Sequence, residues 1–158
     1  MNEIERTLEQ YDRTMNGNAW HGDPVWKVLE GISAEQAARR VGTQSHSIWE
    51  LVSHMTFWET EVCRRLSGLP ARSVEELNFP AAPEATAENW NRTLAEFRRS
   101  NGEFRAALTK FDGTQLDQPL PGREKSGYTA YIEANGVIEH NLYHSGQIAF
   151  LRKLFAVN

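Results

Sequence analysis

The sequence predicts an all-α fold: a bundle of four long helices with long crossover connections. Three observations predict it. Apolar residues recur at steps of three and four through four long segments. Glycine and proline follow those segments where a helix should stop. No segment shows the sustained apolar–polar alternation of a half-buried strand.

Residues 2 to 15 read as the first long helix, with Ile4, Leu8, Tyr11 and Met15 on one face and Gly17-Asn18 as the break. Pro24 opens a short helix carrying Val25, Val28 and Leu29, because proline is tolerated in a first turn. Ser33-Ala34-Glu35-Gln36 has capping-box spacing and starts another short helix. Residues 47 to 67 form the second long helix, with Ile48, Leu51, Val52, Met55, Trp58, Val62 and Leu66 apolar, Gly68 as the stop and Pro70 beyond. Residues 69 to 85, with Pro70, Pro80 and Pro83, read as a crossing loop, and a connection this long in a compact domain is often functional. Residues 87 to 111 form the third long helix, with Trp90, Leu94, Phe97, Phe104 and Leu108 inward. A loop with Pro119, Pro121, Gly122 and Gly127 precedes the fourth, from about 130 to 155.

The 158 residues fit one domain spanning 1–158, long enough to bury an ordinary core. The formal net charge of −4, with Arg39-Arg40, Arg64-Arg65 and Arg98-Arg99 as isolated pairs, supplies no basic face for phosphates and argues against a nucleic-acid partner. A single cysteine, Cys63, excludes an internal disulfide framework. No apolar run approaches the roughly 18 residues of a membrane span. The polar start Met1-Asn2-Glu3-Ile4-Glu5-Arg6 lacks the apolar stretch of a signal peptide. The expectation is a soluble cytoplasmic protein with no membrane partner.

Candidate chemistry lies in Glu139-His140-Asn141-Leu142-Tyr143-His144-Ser145-Gly146-Gln147-Ile148. Four helical residues advance about 400°, so His140 and His144 differ by only ~40° in direction and ~6 Å in height. They share a face with Val137, Ile148 and Leu151, a stripe that should face the core. His54 stands between Leu51 and Trp58 on the apolar stripe of the second long helix. Two helices thus each send imidazole inward, and bundle interiors are a place where facing helices build metal sites. Imidazole suits zinc, nickel, copper and ferrous iron. Three imidazoles on one face of an ion leave positions open for water or substrate. The spacing alone also fits packed, hydrogen-bonded histidines without metal.

Several stretches together resemble the DinB-like superfamily, named for DNA-damage-inducible proteins. They are A-W-H-G-D-P at 19–24, H-S-I-W-E-L-V-S-H at 46–54, R-L-S-G at 65–68, N-F-P at 78–80, and G-V-I-E-H-N-L-Y-H-S-G-Q-I at 136–148. The last is the most specific. The resemblance implies a four-helix bundle, often a homodimer, with a divalent ion held by three histidines. One comes from the second long helix and two from the fourth, matching His54, His140 and His144. Zinc or nickel is the first expectation for the ion, with manganese or iron as the other candidates. Members with such a site include thiol S-transferases using low-molecular-weight thiols, a thiol-dependent isomerase and proposed metal hydrolases. The implied function is activation of a thiol or water against an electrophile. The alternative is a non-catalytic metal-binding module of a stress response.

Other residues carry open readings. His21 is either a turn histidine or, at the pocket mouth, a substrate contact or proton shuttle, and it is the candidate catalytic residue. His46 opens the second long helix about 12 Å from His54 along the axis. Gln147 is placed to bond a helix backbone or the second nitrogen of a histidine. Gly146 lets another helix approach closely, and Tyr143 is placed to face a partner helix or a second subunit. Glu139 points about 100° away from His140 and is not expected to be a ligand. Cys63, rotated about 180° from His54, is not expected to be a fourth ligand. The five tryptophans are expected in the core and at interfaces, with Trp58 placed to wall the metal pocket.

Overall fold

The computed structural model describes residues 1–72 and 77–156. Among them are six α-helices and no strand: α1 (Glu3–Asn16), α2 (Val25–Leu29), α3 (Ala34–Ala38), α4 (Ile48–Leu66), α5 (Ala87–Lys110) and α6 (Ala130–Ala156). A single 3₁₀ turn at Gly113–Gln115 follows α5. The expected boundaries agree with these to within one or two residues. Part of the expected crossing loop, residues 73–76, lies outside the described residues.

Local signals set the helix starts. Ser33 and Gln36 form the expected capping box on α3. Boxes also open α1, from Asn2 and Glu5, and α4, from Ser47 and Glu50. In α4 the Glu50 N–H donates to Ser47 Oγ and the Ser47 N–H donates to Glu50 Oε2, so two orphan donors are satisfied at once. Past α4, Gly68 takes φ +85°, the left-handed conformation that glycine adopts without steric cost.

The four long helices form a closed ring of neighbours: α1 beside α5, α5 beside α4, α4 beside α6, and α6 beside α1. Ile48, Trp49, Met55, Phe97, Phe104, Leu108 and Ile148 are fully buried between them. Each such side chain contributes about 1.5–3 kcal/mol of apolar burial. Where the two long connections meet, the Ala71 N–H donates to Pro121 O, and a Cβ on Gly122 would stand 2.9 Å from Ala71 N. That contact explains the glycine.

The α4–α6 interface is closed at one end by arginine–glutamate ion pairs. Arg65 donates to Glu133 at 2.7 Å, Arg123 reaches the same carboxylate at 2.9 Å, and Arg72 pairs with buried Glu61 at 2.8 Å. The three histidines lie toward the opposite end. No helix among the described residues is long and apolar enough to cross a membrane.

Candidate metal centre

His54 stands two turns into α4, after a start fixed by the Ser47 box. Its buried neighbours Leu51 and Met55 turn that face inward. On α6 the stripe of Val137, Ile148 and Leu151 is buried, as its spacing predicts, and carries His140 and His144 in with it. The three rings meet between the two helices, each offering one ligand atom, and these atoms all lie within 4.8 Å of one another. His140 Nε2 is 2.9 Å from His54 Nε2 and 3.1 Å from His144 Nε2.

Proton positions decide what such contacts mean. His54 Nδ1–H donates to the Asn78 carbonyl at 2.6 Å, and His144 Nδ1–H donates to Gln147 Oε1 at 2.7 Å. These bonds put the proton of each neutral ring on Nδ1 and leave the lone pair on Nε2. Two lone pairs therefore face His140 Nε2, which brings at most one proton and satisfies at most one of them. A cation satisfies all three.

Two of the three spacings fit as well: imidazole nitrogens bind such ions at about 2.0–2.1 Å, so two on one ion are roughly 2.9 Å apart at a right angle and roughly 3.4 Å apart at the tetrahedral angle, and an ion would draw His54 and His144 together. Burial holds His54 down to about 4, and burial with the neighbouring imidazoles holds His140 down to about 3. Burial lowers His144 too. All three are thus neutral at ordinary pH, the protonation state that binds metal.

The crossing loop helps to build the site. Phe79 is stacked between two imidazoles, 3.8 Å from the ring of His54 on one side and 3.8 Å from that of His46 on the other. Asn78 accepts from His54 through its carbonyl and from Trp58 Nε1–H through its side chain. Trp58 presents its edge to His54 and His140 at 6.4 Å, walling the group as expected.

An open cleft of about 710 Å³ reaches His144, with Leu51, Phe79, Tyr143 and Phe150 as apolar walls and His46 and Gln147 as polar ones. A larger hollow of about 950 Å³, beside Trp26, Trp90 and Arg98, holds none of the histidines. Size does not make it the site: its polar lining of Asn16, Lys27, Glu30, Asn91 and Arg98 holds none of the three-histidine group.

Of the two openings left for Gln147, the structure takes the histidine nitrogen. His46 is exposed at the start of α4, as expected, yet its ring also lines the cleft. His21 is exposed in the turn after α1 and belongs neither to the three-histidine group nor to the cleft lining. Cys63 is half-buried, its thiol pushed up by burial and by the nearby Glu103 and Glu59 carboxylates, and it is not in the group. Trp20 departs from the packing expected of the tryptophans. Its side chain is 101% exposed, because it sits in the irregular turn between α1 and α2 with no helix face to pack on. Gly146 is exposed and would have nothing within 4 Å of an added Cβ, so the close approach expected there is not made within the chain. The supports that residue spacing did not reveal are Asn78 and Phe79. Their signal was the N-F-P motif in a long proline-bearing connection.

No curated protein and no solved structure matches the chain. The family profile described as the DinB superfamily matches residues 18–148, a span that takes in α2 to α5, all three histidines, Asn78, Phe79 and Gln147. With that match over most of its length, and an all-helical fold that brings the histidines of the two motifs together, the chain belongs to the DinB superfamily.

Proposed function

We propose that this protein is a divalent-metal-dependent enzyme that activates a thiol or water at His54, His140 and His144. The observation that carries the reading is the convergence of three Nε2 atoms, two of them stripped of protons by bonds to Asn78 and Gln147. A divalent ion bound there would supply a Lewis acid that lowers the pKa of the thiol or water. The chain's own residues do the remaining work. Asn78 and Phe79 orient His54, and Gln147 orients His144. Leu51, Phe79, Tyr143 and Phe150 give the cleft apolar walls for the body of a small electrophile. His46 offers the rim a polar contact.

The absence of a fourth His, Cys, Asp or Glu from the group, among the described residues, supports catalysis over a purely structural ion. Zinc or nickel suits three imidazoles best, with manganese or iron as the other candidates. The non-catalytic reading, a metal-binding stress-response module, predicts a loaded protein without turnover. The test uses protein purified without a histidine tag and loaded with zinc, nickel or manganese. It is offered bacillithiol, mycothiol, glutathione or cysteine with an electrophile, and simple esters and amides. Metal-dependent turnover with one of them is expected; bound metal with no turnover on any supports the module instead. The same assay tests His21 as proton shuttle, since His21→Ala should then slow turnover without changing metal content.

A further inference from the structure

We propose that the hollow of about 950 Å³ between α2 and α5 is a ligand site of its own, which takes a small apolar monocarboxylate with Arg98 as the clamp. One wall is Trp26 and Leu29 of α2 with Ile32 just after it; the other is Trp90, Leu94 and Arg98 of α5. The three residues of α5 follow at steps of four and so line one side of the helix. From Trp90 to Arg98 the helix rises about 12 Å. The trough is therefore apolar over a length that suits a naphthalene ring or an eight-carbon chain, with a guanidinium at one end. Its volume lies within the roughly 300–1,000 Å³ of small-molecule sites.

Charge singles out Arg98. The charged residues that line the hollow are Lys27, Glu30 and Arg98. Lys27 and Glu30 pair with each other. Arg98 is exposed, and among the described residues it has neither a carboxylate partner nor a hydrogen bond. Other arginines of the protein are placed differently: Arg13, Arg65, Arg72, Arg99, Arg105 and Arg123 all pair with Glu or Asp. One positive charge is thus left over at the end of an apolar trough.

The guanidinium is also held ready. Its Cζ stands 3.9 Å from the centre of the Trp26 ring. Stacking uses the flat face and leaves the N–H donors, which lie in the plane, free to fork onto a carboxylate. Trp26 is fixed in turn: its Nε1–H donates to Asn101 Oδ1 at 2.9 Å, and its ring lies 5.2 Å from that of Phe97. On the other wall, Trp90 Nε1–H donates to the Ile32 carbonyl at 2.8 Å. With its one polar atom already bonded, each indole offers a ligand only carbon. A clamp whose parts are ordered beforehand loses little freedom on binding, which favours affinity. An arginine stacked on an indole is by itself ordinary surface packing. Here the stack ends an apolar trough, and no described residue uses its donors.

A single carboxylate is the anion that fits. A phosphate or a dicarboxylate would set two charges against one guanidinium, with the Glu30 carboxylate on the same hollow to repel the excess. The hollow holds none of the three histidines, so the inference does not depend on the proposed function.

The test is calorimetric titration of the full chain, tag removed, with 2-naphthoate and with octanoate, which distinguish an aromatic body from an aliphatic one. At least one should bind, at one per chain. The matching amides keep the body without the charge, and glutarate keeps carboxylates without the body; both should bind about 10-fold more weakly or worse. Arg98→Met leaves a long apolar side chain beside Trp26 and removes the charge. It should weaken the acid by about 10-fold or more and leave the amide unchanged. Arg98→Lys should fall between the two, because an ammonium neither forks nor stacks as a guanidinium does. Arg98 is exposed, so both variants should keep native circular dichroism. A carboxylate bound instead to an ion at the histidines would respond to the metal. Affinity should therefore be the same with and without added zinc, and in His140→Ala. Failure of both acids to bind overturns the proposal. So does equal affinity for acid and amide, native affinity in Arg98→Met, or binding that is lost in His140→Ala.

Discussion

Two clusters of buried polar atoms lie inside this protein, and they are built on opposite plans. Around Glu59, which is 0% exposed, every acceptor site is filled. Oε1 accepts from Tyr11 at 2.8 Å and Asn141 at 2.6 Å; Oε2 accepts from Ser100 at 2.7 Å and Asn101 at 2.5 Å. The donors come from α1, α5 and α6, and Trp26 of α2 binds Asn101 in turn. The carboxylate is closed and needs nothing from outside; beside it only Asn141 Oδ1, among the cluster's side-chain atoms, is buried without a partner. At the three histidines the lone pairs converge with too few protons to share among them. A satisfied polar cluster specifies a fold; an unsatisfied convergent one specifies a ligand. The two are also adjacent in sequence, since Asn141 serves the carboxylate and His140 the open group.

The sharpest break in this contrast is His140→Ala. His140 Nε2 contacts both other rings, so its loss should abolish stoichiometric metal binding, read by elemental analysis of untagged protein. Circular dichroism should show the native helices, because a half-exposed ring at a ligand site holds little of the core. Metal content equal to native in this variant would contradict the ligand assignment.

Glu59→Leu should do the reverse. It removes the acceptor of four buried donors, of which Ser100 keeps the Phe97 carbonyl, and each donor left unpaired costs about 1–3 kcal/mol, with partial relaxation lowering the sum. A loss of roughly 3–5 kcal/mol is expected in chemical denaturation, near the top of the range for one substitution. The folded fraction should still bind one ion per chain. A variant that stays as stable as native would show that the four bonds are no keystone.

Gln147→Ala should have a smaller and more selective effect. Removing an outer partner of a ligating histidine typically costs 10–100-fold in metal affinity. Denaturation of the metal-free variant should match native, since Gln147 lies at a cleft wall. An unchanged affinity would mean that the bond to His144 does not orient the ring for metal.

How far these clusters were legible in the sequence follows from their spacing. His140, His144 and His54 lie on regular helices, where a step of four or a stripe of apolar neighbours is enough to fix a side chain's direction. The closed ring of long helices was legible in outline for the same reason. Glu59 was not singled out, because a lone Glu in an amphipathic helix reads as solvated; only the packing of α1, α5 and α6 around it shows four donors aimed at one carboxylate. Asn78 and Phe79 escaped role assignment because a loop has no period. The full exposure of Trp20 shows the converse, that composition alone does not place a side chain where no helix face directs it.

The contrast predicts opposite pH slopes in the metal-free protein. An unfolded histidine takes its proton near pH 6.5, whereas His54 and His140 in the fold hold off until about 4 and about 3. Between those limits the unfolded chain binds more protons, so the histidines make stability fall as pH drops below about 6.5. Burial raises the Glu59 carboxyl above its usual 4.5, against the pull of its four donors. From that pH upward the folded chain binds the extra proton, so Glu59 makes stability fall as pH rises through its folded value. Above about 4.5, as far as the folded value of Glu59, the two contributions oppose each other and flatten the native profile. Urea denaturation in chelator at about pH 5, 6 and 7 separates them. Glu59→Gln should leave a steeper rise of stability with pH, and His54→Ala with His140→Ala should leave a shallower rise or a decline. If Glu59→Gln keeps the native slope, the carboxylate is already ionised across this range. The closed cluster would then owe its stability to four charge-assisted bonds that outweigh its burial.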